Sequence, residues 1–438
     1  MDTLLVTEFK VCHYKQYEVF HSFWGIFQEV IQLQETCLRN EICEYYYPVP
    51  TKQSLKLRNS TKNYLPITLL TESYMKILWL AHRDPLNPRA GGAERTINEV
   101  CTRLVGKGHD VILLTGGWKG CKSVENFHGI EIHRFGRNIG PHLALPVLLL
   151  KYHFDLVAND LGHAVPWFSS TIMNKHNIVF FRHLHARSLP GQVNSLLAKV
   201  ITAIEKCYFI IYHNTVFVTE STTSKNDLLK LGIKEDRIIM NPPGVNINIF
   251  HPAAKTLHPT LVYFGGMRKY KRPQESLFLL KRLLERIKSV DLFIIGTGPE
   301  EPNLRKLASA LYLQDRAMFK GRVSDTELSN IVASAWLNVH TSVTEGWGLS
   351  ILEASAAGTP TVAYDVPGVR DTVEDEINGI KVKDGNREAL ADAALSILSH
   401  PERWWPSSVE VAKKYSWDKT AESWDKLIQE VANSHNKN

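Results

Sequence analysis

Residues 337–360 read Leu-Asn-Val-His-Thr-Ser-Val-Thr-Glu-Gly-Trp-Gly-Leu-Ser-Ile-Leu-Glu-Ala-Ser-Ala-Ala-Gly-Thr-Pro. The run Leu337–Val339 is short and mostly apolar, as in a strand covered on both faces. Glu345 follows in a loop, and Gly346 and Gly348 allow a tight turn whose amides point at one spot. A helical pattern begins near Ser350, so the positive end of that helix faces the same spot. Glu353 lies about one turn inside. The unit offers a carboxylate for sugar hydroxyls, amides for phosphate and a second carboxylate for a ribose diol. The bland alternatives are a surface acid at Glu345 and a Ser350-x-x-Glu353 capping box.

The same strand–glycine–helix grammar extends in both directions. In the first half, strands are predicted at Ile77–Ala81, Asp110–Thr115, Glu131–Phe135, Asp155–Ala158, Ile178–Arg182, Val216–Thr219 and Arg237–Met240. In the second half they are predicted at Leu261–Phe264, Leu292–Ile295, Met318–Lys320, Leu337–Val339, Thr361–Ala363 and Ile380–Val382. Continuous Val/Ile/Leu runs separated by helical patterns mean parallel sheets with crossover helices. The fold class expected is α/β, with two doubly wound, Rossmann-like domains facing across a cleft. Pro252, His258 and Pro259 interrupt the pattern and mark a linker near Phe250–Pro259. The expected domains are 75–255 and 256–406, followed by a segment 407–438 that ends in a helix at about Lys419–Asn433. Residues 1–74 show no such alternation and read as an atypical extension, poorly packed or an artefact of start-site choice. Met75 followed by Lys and a strand looks like an ordinary cytosolic start.

Composition narrows the class. The chain has 438 residues, 44% hydrophobic and 22% charged, close to the globular average. The greasiest stretch, Leu143–Leu150, is interrupted by Pro146 and is far short of the roughly 20 residues that span a bilayer. The net charge of +6 suits anionic small ligands or an anionic membrane surface and is no nucleic-acid signature. Leu143–Leu150 and Leu196–Tyr212 are compatible with docking on a lipid face, and equally with buried helices. Six cysteines without a Cys-x-x-Cys pair fit a reducing, cytoplasmic setting. Glu8, Lys10 and Lys15 break any secretory signal. No Asp-x-Asp or His-x-x-x-His metal motif is present.

Two more loops follow strands. Gly91-Gly92-Ala-Glu precedes a helix, where glycines let backbone amides approach a phosphate or sugar; alone it also reads as a flexible loop. Gly265-Gly266-Met-Arg268-Lys269-Tyr-Lys271-Arg272 places four cations within five positions after a strand. Such a cluster stabilises the charge on a leaving diphosphate, although most charge runs are solvated faces. Arg268 and Lys271 are the candidates. Among the histidines, His163 and His183 fall after strands, at cleft positions; Asp160 competes with His163 for one place. His185 and Arg187 follow as cleft or supporting residues.

Taken together, these motifs carry a resemblance. Glu345 and Glu353 bracket seven residues in Glu-Gly-Trp-Gly-Leu-x-x-Leu-Glu-Ala-x-Ala-x-Gly-x-Pro. This resembles the Glu-x7-Glu signature of the retaining glycosyltransferases of the GT-B fold, family 4. Gly-Gly-Ala-Glu (91–94), Gly-His-Asp-Val (108–111), Pro-Pro-Gly-Val (242–245), Ile-Gly-Thr-Gly-Pro-Glu (295–300), Gly-Arg-Val-Ser-Asp (321–325) and Pro-Gly-Val-Arg-Asp (367–371) agree, in order. The resemblance covers Met75 to about Trp424. It implies a nucleotide-sugar donor, no metal or other cofactor, an acceptor hydroxyl in a glycan, lipid or small molecule, and no nucleic acid. It gives the donor to the C-terminal domain, the acceptor to the N-terminal one, and a last helix that crosses back.

By the resemblance, Glu345 contacts donor-sugar hydroxyls and Glu353 the ribose. Backbone at Gly346, Trp347, Gly348 and Leu349 binds phosphate or sugar, and Lys271 binds diphosphate. Arg322 and Val323 stand where backbone reads the base, and Gly91 and Gly92 lie near the diphosphate. Two places depart from the pattern. Gly266 stands where the family has an arginine, which Arg268 would replace. Asp160 stands where the family often has a histidine, so Asp160 or His163, with His183, supplies the catalytic group of the N-terminal domain. A sugar-nucleotide epimerase of the same fold and a non-catalytic sugar-nucleotide-binding protein are the alternatives.

Overall fold

The computed structural model describes residues 74–137, 140–163, 165–172, 176–189 and 193–434. The expected extension, apart from Tyr74, lies outside the described residues. The first sheet holds β1 (Lys76–Leu80), β2 (Asp110–Thr115), β3 (Val124–Phe127), β4 (Ile130–Arg134), β5 (Leu156–Asp160), β6 (Asn177–Phe181), β7 (Val216–Thr219) and β8 (Ile238–Met240). The second holds β9 (Thr260–Phe264), β10 (Asp291–Ile295), β11 (Ala317–Gly321), β12 (Leu337–His340), β13 (Thr361–Tyr364) and β14 (Gly379–Val382). The strand orders are β3-β4-β2-β1-β5-β6-β7-β8 and β11-β10-β9-β12-β13-β14. Every pairing is parallel except β3 with β4. These are the two Rossmann-like sheets expected from the apolar runs.

β3 is the strand that the pattern missed. Its residues, Val-Glu-Asn-Phe, make no apolar run, and none of them is buried. It forms because His128 and Gly129 both take positive φ, 53° and 84°, the twist of a tight hairpin turn.

Five helices matter for the site: α1 (Gly92–Gly106), α2 (Gly140–Lys151), α3 (Ser195–Lys206), α4 (Leu349–Ala356) and α5 (Trp417–Ser434). In each sheet the strand order reverses once, at β1/β5 and at β9/β12. Crossovers leave such a point in opposite directions, so a crevice opens there at the carboxyl ends of the strands. The loops after β1, β5, β9 and β12 carry most of the candidate residues.

The first sheet is buried on both faces. Ile77 and Trp79 of β1 join Val100 and Leu104 of α1 on one face, and Leu78 and Leu80 join Tyr208 and Phe217 on the other. Although α5 follows the second sheet in sequence, it packs on the first. Trp424, fully buried, lies 4.9 Å from the Trp79 ring and 5.2 Å, edge-on, from Phe180. Asp425 accepts from Lys107 Nζ at 2.7 Å and lies 3.0 Å from His109 Nε2. The Pro-Pro-Gly-Val motif has its reason here: a Cβ on Gly244 would stand 2.1 Å from the Trp417 backbone nitrogen. Only glycine lets the returning chain cross so closely.

Replacing Trp424 by Ala removes a fully buried indole from this junction and should cost about 3–5 kcal/mol. Equilibrium urea unfolding measures it; an unchanged midpoint would show that α5 does not brace the first sheet.

Candidate active site

In the second sheet, Glu345 is the hub. Its Oε1 accepts from Lys271 Nζ and, at 2.6 Å, from Ser342 Oγ. His340 Nε2 stands 3.2 Å from the same oxygen. Burial opposes the charged form, but Lys271 and His340 outweigh it and hold the carboxyl well below the ordinary carboxylate range. Burial likewise works against the Lys271 ammonium, and Glu345 reverses that and raises it. Oε2 of Glu345 takes no hydrogen bond among the described residues. Arg272, which the sequence reading passed over, fastens the basic loop to the acidic one. It donates to the carbonyls of Thr341 and Ser342 at 2.8 and 2.9 Å, from a left-handed backbone with φ 47°.

Gly348 caps α4 with φ 109°, a conformation that favours glycine. The helix therefore starts at Leu349, and Glu353 lies beyond the capping position. The Ser350-x-x-Glu353 capping box does not form: Ser350 Oγ lies 3.2 Å from His340 Nδ1 instead. Trp347 is buried, its ring edge-on to Tyr415 at 5.2 Å.

Glu353 is 7% exposed, and its partner comes from the other sheet. Arg95 of α1 donates to Glu353 Oε1 and, at 2.7 Å, to Asp325 Oδ1. Burial pushes the Glu353 carboxyl up, with Arg95 opposing. Arg95 was not a candidate; its signal was its place one helical turn beyond Gly91-Gly92. A Cβ on Gly92 would come within 3.1 Å of the Leu349 side chain, so the two glycine loops approach one another. Gly91 and Gly266 are exposed. Arg268 is half-buried and makes no ion pair among the described residues, but its charge opposes that of Lys271 nearby. Arg322 is exposed, 3.5 Å from the Ala90 carbonyl, and Val323 packs against the second-sheet core.

On the first sheet, the candidates separate. Asp160 is 2% exposed and gives both oxygens to Arg182, at 3.2 and 2.7 Å. Arg182 also donates to Glu220 at 2.8 Å, and its charged form is strengthened by both carboxylates against burial. A Cβ on Gly346 would stand 3.0 Å from Glu220 Oε2, so this buried triad supports the Glu345 loop. His183 is half-buried with an unpartnered Nδ1, and burial lowers its pKa to about 3. His185 lies 3.1 Å from Glu205, and Arg187 is paired twice with Asp227, so both are anchored away from free chemistry. Among the described residues no group of His, Cys, Asp and Glu is arranged to hold a metal.

Two family profiles match this chain in tandem: "Glycosyltransferase Family 4" over residues 90–249 and "Glycosyl transferases group 1" over residues 246–416. The chain belongs to glycosyltransferase family 4. It is a retaining glycosyltransferase that moves a sugar from a nucleotide-sugar donor. An uncharacterised glycosyltransferase of Methanocaldococcus jannaschii is 26% identical over 79% of this chain and 96% of its own length. A phosphatidyl-myo-inositol mannosyltransferase of Mycobacterium leprae is 30% identical over 45% of this chain and 54% of its own. Sucrose-phosphate synthase from Thermosynechococcus elongatus shares the fold, with a TM-score of 0.70 at 20% identity, covering 82% of this chain and all (100%) of that one. Anabaena HepE, crystallised with UDP and glucose, gives 0.65 at 16% identity, covering 81% of this chain and 100% of its own. These structures establish the GT-B architecture.

Replacing Arg182 by Met strands Asp160 and Glu220 as buried, uncompensated carboxylates. Breaking such a pair costs about 3–5 kcal/mol. The variant should unfold at clearly lower urea than the wild type, whereas an unchanged midpoint would mean that the triad does not hold the loop.

Proposed function

We propose that the diphosphate of a nucleotide-sugar lies in the crevice at the β9/β12 reversal. The observation that carries this reading is Glu345. Three polar groups gather on one of its oxygens, and Oε2 is left for hydroxyls of the donor sugar. Glu353 holds the ribose diol, and Arg322 and Val323 frame the base. Lys271, Arg268, the Trp347–Leu349 amides and the amino end of α4 balance the diphosphate charge as it leaves, so the reading is metal-independent. Gly91, Gly92, Gly266 and Gly346 let backbone come close to the ligand.

The acceptor enters from the first sheet. Its hydroxyl attacks the anomeric carbon from the face that the phosphate leaves, and the departing phosphate oxygen takes the hydroxyl proton. The new glycosidic bond keeps the anomeric configuration. His183, uncharged beside Glu345 and Lys271, orients the sugar or the acceptor at its Nδ1. Asp160 acts through Arg182 rather than on the substrate. Closure of the lobes excludes water that would otherwise hydrolyse the donor.

UDP-glucose is the donor to test first, since HepE was crystallised with UDP and glucose. UDP should raise the midpoint of thermal unfolding, because a ligand that binds only the native state stabilises it. Glu345→Gln should lower turnover at least tenfold, about 1.4 kcal/mol of transition-state stabilisation. A flat thermal response to UDP, GDP and ADP alike, or wild-type turnover in the variant, would end this reading.

A lipid-borne acceptor has its own support. No helix among the described residues is long and apolar enough to cross a membrane. Yet α3 and the turn after it leave Leu196 72%, Leu197 45%, Val200 44% and Ile210 40% exposed, flanked by exposed Lys199 and Lys206. An apolar stripe edged with lysines suits an anionic lipid surface. The protein should co-sediment with phosphatidylglycerol vesicles, and Leu196→Glu with Val200→Glu should release it. Wild-type protein left in the supernatant would refute peripheral docking.

A further inference from the structure

The reversal at β1/β5 is the counterpart of the donor crevice, and it is lined by imidazoles. His82 follows β1 and His163 follows β5; their rings stack at 4.7 Å with 24° between planes. His142 of α2 places Nε2 3.1 Å from His163 Nε2, and its ring lies flat on Trp167 at 4.1 Å. All three histidines are half-buried, and Nδ1 of His82 and Nδ1 of His163 are buried without a partner. A buried, unpaired polar atom costs about 1–3 kcal/mol. Two of them side by side at a topological switch point indicate atoms kept for a ligand.

The chemistry of that ligand follows from the charges and the tautomers. Burial, reinforced by the neighbouring His82 and by Arg83, keeps His163 uncharged at neutral pH; burial and His82 lower His142 to about 4. Arg83, the cation nearest His82, is committed to Glu94 at 2.8 Å. Among the described residues, no free cation is seen beside these rings to offset a phosphate or a carboxylate. The Nε2–Nε2 contact requires one of His142 and His163 to donate and the other to accept. If His163 accepts there, its Nδ1 donates outward; if it donates, its Nδ1 accepts. A hydroxyl, both donor and acceptor, satisfies either tautomer.

Building on the proposed transfer to a hydroxyl acceptor, we propose that His82 and His163, set by His142 and Trp167, form the acceptor subsite and select an uncharged polyhydroxyl group, a sugar or polyol, at this end of the acceptor. His163 touches the acceptor; His142 is a positioning residue that fixes its tautomer.

The test is ligand-observed saturation-transfer NMR on the full chain saturated with UDP. The probes are glucose, myo-inositol and glycerol, each set against its monophosphate. At least one neutral probe should receive saturation, and its phosphate should receive tenfold less. In His163→Phe, which keeps the ring and its stacking but loses both nitrogens, the neutral signal should fall at least tenfold. A cooperative thermal transition certifies that the variant is folded; should it not fold, His82→Phe and the neutral-against-phosphate contrast in wild type carry the test. Preference for a phosphorylated probe, no saturation of any neutral probe, or an equal signal in a folded variant would overturn the proposal. Since the UDP-induced rise in unfolding midpoint is measured first, failure of the donor reading is seen separately from failure of this one.

Discussion

A parallel sheet whose strand order reverses cannot be closed at the reversal. Crossovers run to opposite faces there, and the carboxyl ends of two central strands stand apart. Both sheets of this chain obey that constraint, one at β1/β5 and one at β9/β12. Most of the candidate residues collect at these two gaps. Glycines let the backbone turn into them, and side chains from neighbouring loops meet across them.

The two gaps are furnished in opposite ways. The one at β9/β12 is ionic: Glu345 with Lys271, and Glu353 with Arg95 from the other sheet. Each of these buried carboxylates has a cation in contact that favours its charged form against burial, and such cations are what a diphosphate would also seek. Removing one partner would leave the other costly, so the pairs define a geometry as much as they stabilise it. The gap at β1/β5 is neutral, lined by stacked imidazoles whose desolvation suppresses their charge. In the transfer proposed above, a charged leaving group on one side and an uncharged nucleophile on the other would match that division.

Much of this was legible beforehand, because parallel strands covered on both faces leave continuous apolar runs, and because Glu-x7-Glu holds its own spacing within one loop and one helix. The acidic and basic loops were found at the right strand ends. What escaped had no local mark. β3 is a polar edge strand made by a hairpin turn. The capping box around Glu353 looked sound until Gly348 set the helix cap two residues earlier than Ser350. Asp160 read as a candidate catalytic group, but Arg182 lies twenty-two residues away in sequence and takes both its oxygens.

By itself, then, the chain order of strands, glycines and carboxylates determined the two-sheet architecture and the loops that carry the candidate residues, since these depend on periods of a few residues and on backbone freedom at single glycines. Only the tertiary structure decided which charges are paired: Arg95 with Glu353, Arg182 with Asp160 and Glu220, Asp425 with Lys107. It also decided that His82, His142 and His163 meet. Such contacts join residues far apart along the chain, and burial, which sets whether a carboxyl or an imidazole carries charge, is a property of the assembled surroundings and not of the residue.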